Sequence, residues 1–158
     1  MKCFQLLIFC FVIFSCAKKD RTDDFDINRT RAPEKQVVNV SEIIDLENKG
    51  IGPIKEVNLE STIDEKLAKT GEELFNASCS VCHKVTSKFI GPALQGVTQR
   101  RTPEWIMNMI LNAQYMLRDD PLAKALFMEF NGSPMTNVGF DKAQARAVLE
   151  YLRTKEAR

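Results

Sequence analysis

The single imidazole of this 158-residue chain, His83, directly follows Cys79-Ser80-Val81-Cys82. On a helical turn, positions i and i+3 share a face and i+4 lies beside i. Two thiols placed in this way can bond neighbouring substituents on one edge of a porphyrin. The imidazole that follows is carried under the ring, where one of its nitrogens can meet iron. C-x-x-C-H is the attachment signature of c-type haem. Other chemistries fit these residues less well. A structural zinc site needs four ligands, and only these three Cys/His ligands survive export processing unless carboxylates join. A redox dithiol of the thioredoxin kind needs a βαβ setting, and the sequence shows none. A single His also excludes a bis-His haem, a Cys2His2 finger and a three-His zinc site within the chain.

Export is signalled at the N-terminus. Lys2 precedes an apolar run over residues 3–14, interrupted only by Gln5. That run is shorter than the roughly 20 residues a membrane-spanning helix requires and fits the apolar region of a signal peptide, residues 1–15. Its end, Ser15-Cys16 followed by Ala17-Lys18-Lys19, resembles a bacterial lipobox, in which Cys16 carries the lipid. Of five cysteines, Cys3 and Cys10 then leave with the signal and Cys16 is acylated, so Cys79 and Cys82 remain. A disulfide scaffold is therefore not expected, although the compartment is oxidising. The balance of 22 Lys+Arg against 21 Asp+Glu provides no basic field for nucleic acid.

Residues 17–35 are mostly charged and read as a tether. Over residues 36–61 apolar side chains return, but Gly50, Gly52 and Pro53 interrupt them. That stretch reads as an extended arm docked on the domain, so residues 16–61 form a lipid-anchored tether and arm. Residues 62–158 read as the globular part. Thr62 with Glu65 is a capping box for a first helix, and Thr102-Pro103 and Asp120-Pro121 each pair a capping side chain with Pro at the first helical position. Asn131-Gly132 stops the third helix. Asp141 with Gln144 opens a fourth, whose stripe is Ala145, Val148, Leu149 and Leu152. No segment alternates with period two, so the expected fold is all-α with four helices.

Residues 70–155 resemble a class I, monohaem cytochrome c. The resemblance rests on Gly71 and Phe75, then Cys79-x-x-Cys82-His83, Gly91-Pro92-Ala93-Leu94, Pro134-Met135 and Tyr151-Leu152. It implies one covalent haem c, with Cys79 and Cys82 as attachment points and His83 as proximal ligand. It also implies that the Pro92 carbonyl accepts the free ring N–H of His83, and that Gly71 lets the first helix cross the last near Tyr151. The distal ligand is sought among the methionines. Met107, Met109 and Met128 sit on apolar helical stretches, where Met is core filler. Met116 is the second choice, and Met135, in the irregular segment before the last helix, is the first. Arg100, Arg101 or the Trp105 indole are candidate partners for haem propionates, and Lys84 and Lys88 for the border of a docking patch.

With His and Met both on the iron, the expected role is one-electron transfer without catalysis. The carrier would be a periplasmic, membrane-anchored lipoprotein with a monomeric domain, passing electrons between donor and acceptor proteins. The arm sequence Ile51-Gly52-Pro53-Ile54 is similar to that of small cytochromes encoded beside nitrogen-oxide reductases, which makes such a reductase a candidate acceptor. Two other readings stay open at this level. Met135 could dissociate and expose the iron to a gas or peroxide, or the chain could be a subunit of a larger respiratory complex.

Overall fold

The computed structural model describes residues 39–156. The signal peptide, the Cys16 lipid site and the tether over residues 17–35 lie outside the described residues. Among the described residues, no helix is long and apolar enough to cross a membrane.

Among the described residues there are five α-helices: α1 (Glu65–Leu74), α2 (Val97–Arg100), α3 (Pro103–Asp119), α4 (Pro121–Glu129) and α5 (Lys142–Arg153). A 3-10 turn, Val40–Glu42, precedes them, and α1 runs into a π-helical turn, Phe75–Cys79. Among the described residues, the one β feature is an isolated parallel bridge between Asp45 and Arg101. The fold is all-α, with one short helix, α2, beyond the four expected.

Three of the four sequence-read helix starts hold. Thr102 Oγ1 accepts from Trp105 N–H at 3.1 Å, and Asp120 Oδ1 accepts from Ala123 N–H at 2.7 Å. Asp141 and Gln144 form a reciprocal capping box. The first start is corrected. Thr62 lies in a bend, and α1 is capped by Asp64, whose Oδ1 accepts from Lys66 and Leu67 N–H, each at 3.0 Å. A carboxylate facing the positive end of a helix is the stronger cap, and Asp64 is held there because its own N–H donates to Glu150 Oε1 at 2.9 Å.

The core forms where α1, α3 and α5 meet. Gly71 on α1 is buried, and a methyl there would collide with the Ala147 carbonyl of α5 and lie 2.9 Å from Tyr151 Cβ. The two backbones approach so closely that only hydrogen fits. Phe75 then packs its ring 5.2 Å from that of Tyr151, an arrangement worth about 1 kcal/mol beyond the area it buries.

Residues 43–61 form neither helix nor strand, yet they lie fixed along α3. Their backbone groups find partners in α3 side chains spaced four residues apart. Glu104 Oε1 accepts from Val57 N–H at 3.2 Å. Asn108 Oδ1 accepts from Ile54 N–H at 3.0 Å, and its amide donates to the carbonyls of Ile54 and Lys49 at 2.8 and 3.0 Å. Asn112 donates to Ile51 O at 3.3 Å, and Met116 Sδ accepts from Ile51 N–H at 3.0 Å. A chain segment without secondary structure has to satisfy its buried N–H and C=O groups elsewhere, and here α3 supplies the partners.

Candidate functional site

One face of α3 holds the arm, and another looks into a cavity. Ile106, Met109, Ile110 and Leu117 line that cavity from α3, Val148 and Leu152 from α5, and Leu126 and Phe127 from α4. The C-x-x-C-H segment enters it from the side of α1, and Pro134, Met135 and Thr136 from the opposite connection.

The attachment segment is shaped by its backbone bonds. The π turn widens the end of α1, a feature that recurs at functional sites. Cys82 N–H and His83 N–H then both donate to Cys79 O, at 3.1 and 2.9 Å. Cys79, Cys82 and His83 consequently face one cavity, with both thiols free. Burial, reinforced by the neighbouring Cys82 sulfur, pushes the Cys79 thiol up to about 11, so before attachment it is a thiol at neutral pH.

His83 is held from the other side. Its Nδ1 stands 3.1 Å from Pro92 O. A carbonyl only accepts, so that nitrogen carries the proton and Nε2 keeps its lone pair. Burial lowers the His83 pKa, while the Pro92 bond acts in the opposite direction. Gly91 packs flat against the ring, and its N–H donates to Cys82 O at 2.9 Å. A carbonyl on the outer nitrogen is the usual device for orienting a metal-binding imidazole.

The methionines divide by location. Met135 is half-buried and lines the cavity, as does Met109 on α3. Met116 is wholly buried beneath Gly50, with its sulfur on the Ile51 amide. It is therefore arm packing, and the second choice for distal ligand is set aside. Met128 points outward.

The three candidates for propionate contact also separate. Arg101 donates to the carbonyls of Ile43, Arg100 and Val40, and its guanidinium lies 5.6 Å from the Trp105 ring centre. The Trp105 indole N–H donates to Asp120 Oδ1 at 3.2 Å. Both groups clasp the arm and the α3–α4 junction, and both also line the cavity. Arg100 lines the cavity and binds Gln95 O through Nη1 at 2.9 Å, leaving the rest of its fork available.

Sequence reasoning missed the side chains that fix the arm. Asn108, Asp120 and Glu129 are the chief ones, the last accepting both the N–H and the hydroxyl of Ser41 at 2.8 and 2.7 Å. The available signal was Glu104, Asn108 and Asn112 at four-residue spacing on a helix otherwise rich in apolar residues.

These donors fit a haem. Two free thiols, an imidazole with its outer nitrogen already bonded and a thioether all face one apolar chamber. Among the described residues, no three His, Cys, Asp or Glu side chains gather into another metal site.

Comparisons with known proteins agree. A cytochrome c of Rhodothermus marinus is 48% identical, with a TM-score of 0.63 over 65% of this chain and 88% of that one. The cytochrome c-type cyt cy of Rhodobacter capsulatus is 34% identical over 96 residues, 55% of this chain and 48% of that protein. A cytochrome c-553-like protein of Synechocystis sp. is 40% identical over 48 residues, 30% of this chain and 46% of that protein. The chain thus spans about half the length of the curated relatives it matches. Residues 68–156 match the sequence profile named Cytochrome c. With that profile covering more than half of its length, the chain belongs to the cytochrome c family, whose cofactor is covalently bound haem c.

Proposed function

We propose that this chain is a one-electron carrier of the bacterial periplasm, held at a membrane by a lipid on Cys16. It passes electrons from a membrane donor complex to a terminal reductase or oxidase. The observation that carries this reading is the meeting of Cys79, Cys82, His83 and Met135 on one cavity, with the outer nitrogen of His83 already on Pro92 O. In this reading Cys79 and Cys82 would hold the group covalently, and His83 Nε2 and Met135 Sδ would bind its iron. The group so held supplies a one-electron iron couple. Held by an imidazole and a neutral thioether, it would leave small oxidants little access and would have a potential above that of a bis-imidazole site. That combination suits a carrier and not a catalyst.

Arg100 is the propionate donor in this scheme. Electron exchange would use the side where Cys82, Val81, Phe89 and Ile90 are exposed, bordered by Lys84 and Lys88, which lie over the Phe89 and Phe130 rings at 5.1 and 4.4 Å. A nitrogen-oxide reductase is the acceptor favoured by the likeness of the Ile51-Gly52-Pro53-Ile54 arm.

The test is protein matured in a host that attaches c-type haem. Colour that survives a denaturing gel and a reduced-minus-oxidised c-type spectrum are expected. In Met135→Ala, the red charge-transfer band of thioether-ligated ferric haem should vanish and the potential should fall. A colourless product with both thiols open to alkylation would overturn the reading.

A further inference from the structure

Helix α3 is broken at Asn112, whose backbone (φ −147°, ψ 41°) leaves the helical region. Two contacts from different parts of the chain converge on the break. The Asn112 amide donates to Ile51 O of the arm at 3.3 Å. The carbonyl just before it, Leu111 O, accepts from the amide of Asn137 at 3.4 Å.

Asn137 stands two residues beyond Met135. Its Oδ1 accepts from Gly139 N–H at 2.8 Å, closing a turn in which Gly139 takes a positive φ of 74°. Two residues before Met135, Ser133 N–H donates to Phe130 O at 3.0 Å at the end of α4. The segment bearing Met135 is therefore fastened at both shoulders, to α4 through Ser133 and to the α3 break through Asn137. Met has three rotatable bonds and no strong shape of its own. A thioether presented from an irregular segment is only as well placed as the backbone beneath it.

We propose that Asn137 is the positioning residue for the Met135 thioether, and that Asn112 links this positioning to the docked arm through the break in α3. The inference rests on the reading of Met135 as distal ligand. It adds that the strength of that ligation depends on two asparagines that do not touch the iron, and through one of them on a segment outside the helical domain.

The test uses ferric holoprotein titrated with imidazole, which competes with a thioether for the sixth position. One lost hydrogen bond is worth about 1 kcal/mol, or about fivefold in an equilibrium. Asn137→Ala, which loses two, should raise imidazole affinity about four- to twenty-fivefold, and Gly139 amide exchange should accelerate. Asn137→Asp keeps the acceptor for Gly139 and loses the donor to Leu111, so it should fall between wild type and Asn137→Ala. Asn112→Ala should raise the affinity about two- to fivefold. In the double variant the effects should be less than multiplicative, because both act at one break.

Unchanged imidazole affinity in Asn137→Ala despite faster Gly139 exchange would overturn the positioning role. Fully multiplicative effects in the double variant would overturn the link to the arm. If Asn137→Ala does not mature, Asn137→Asp and Asn112→Ala carry the test. A wild-type spectrum without the thioether band, unaltered in Met135→Ala, would refute the distal assignment and this inference with it. A band lost in Met135→Ala, with wild-type imidazole affinity in Asn137→Ala, would refute the positioning alone.

Discussion

His83 has two ring nitrogens, and the chain decides between them with a carbonyl. Pro92 has no N–H, so the loop approaches the imidazole with an acceptor, and Nδ1–H is fixed on it at 3.1 Å. Gly91 permits that approach. A methyl group at Gly91 would lie 2.5 Å from Cε1 of His83 and 2.8 Å from Nδ1, below any tolerable contact. Gly91→Ala should therefore push the ring off its axis. The expected outcome is a loss of about 1–3 kcal/mol of stability, the usual cost of overpacking, together with a shifted potential. Thermal unfolding and potentiometry check it, and wild-type values in both would mean that the loop yields without moving the ring. The adjacent Pro92 would then matter less than its geometry suggests.

At the scale of elements, the arm and α3 depend on each other. Asn108 is wholly buried and makes three hydrogen bonds to arm backbone groups. Gly52 packs on its side chain so closely that an added methyl would clash with Oδ1. Asn108→Ala leaves the buried N–H and C=O of Ile54 unpaired, together with the Lys49 carbonyl, which costs about 2–4 kcal/mol. Trypsin cleavage at Lys49 and Lys55 should accelerate in parallel; a variant as resistant as wild type would show that the arm is held by other contacts. The difference between what the sequence disclosed and what it concealed follows from the same physics. Caps at Thr102, Asp120 and Asp141 were legible because their partners lie within three residues. The Cys79–His83 segment was legible for the same reason of short spacing. The partners of Asn108 lie 54 and 59 residues away, and local pattern contains no such information. The bonds of Arg101 to the arm and of the Trp105 indole to Asp120 were hidden on the same account.

For the whole molecule, the closure of the fold rests on a carboxylate in α5. Glu150 is fully buried. Its Oε2 receives Arg146, and its Oε1 receives Arg153 at 2.6 Å and the Asp64 N–H at 2.9 Å. Arg153 also reaches Glu60 O at 2.6 Å, so the end of the arm, the cap of α1 and the last helix meet at one charge. Burial alone would raise the Glu150 pKa, but the hydrogen bonds from Arg153 and Arg146 outweigh it and hold the carboxyl below its ordinary value of 4.5. A folded pKa below the unfolded one means that the stabilisation is complete above about pH 4.5 and is lost as pH falls through the folded value. Glu150→Gln removes the charge while keeping the shape. At pH 7 it should cost about 2–3 kcal/mol, since charged hydrogen bonds are the strong ones and two arginines lose their partner. The gap to wild type should narrow as the pH drops below 4.5, because protonation then makes wild type resemble the variant. Denaturant unfolding at a series of pH values measures both effects. A gap that stays constant down to pH 3 would mean that Glu150 holds α5 through shape and neutral hydrogen bonding, and that acid unfolding begins elsewhere in the fold.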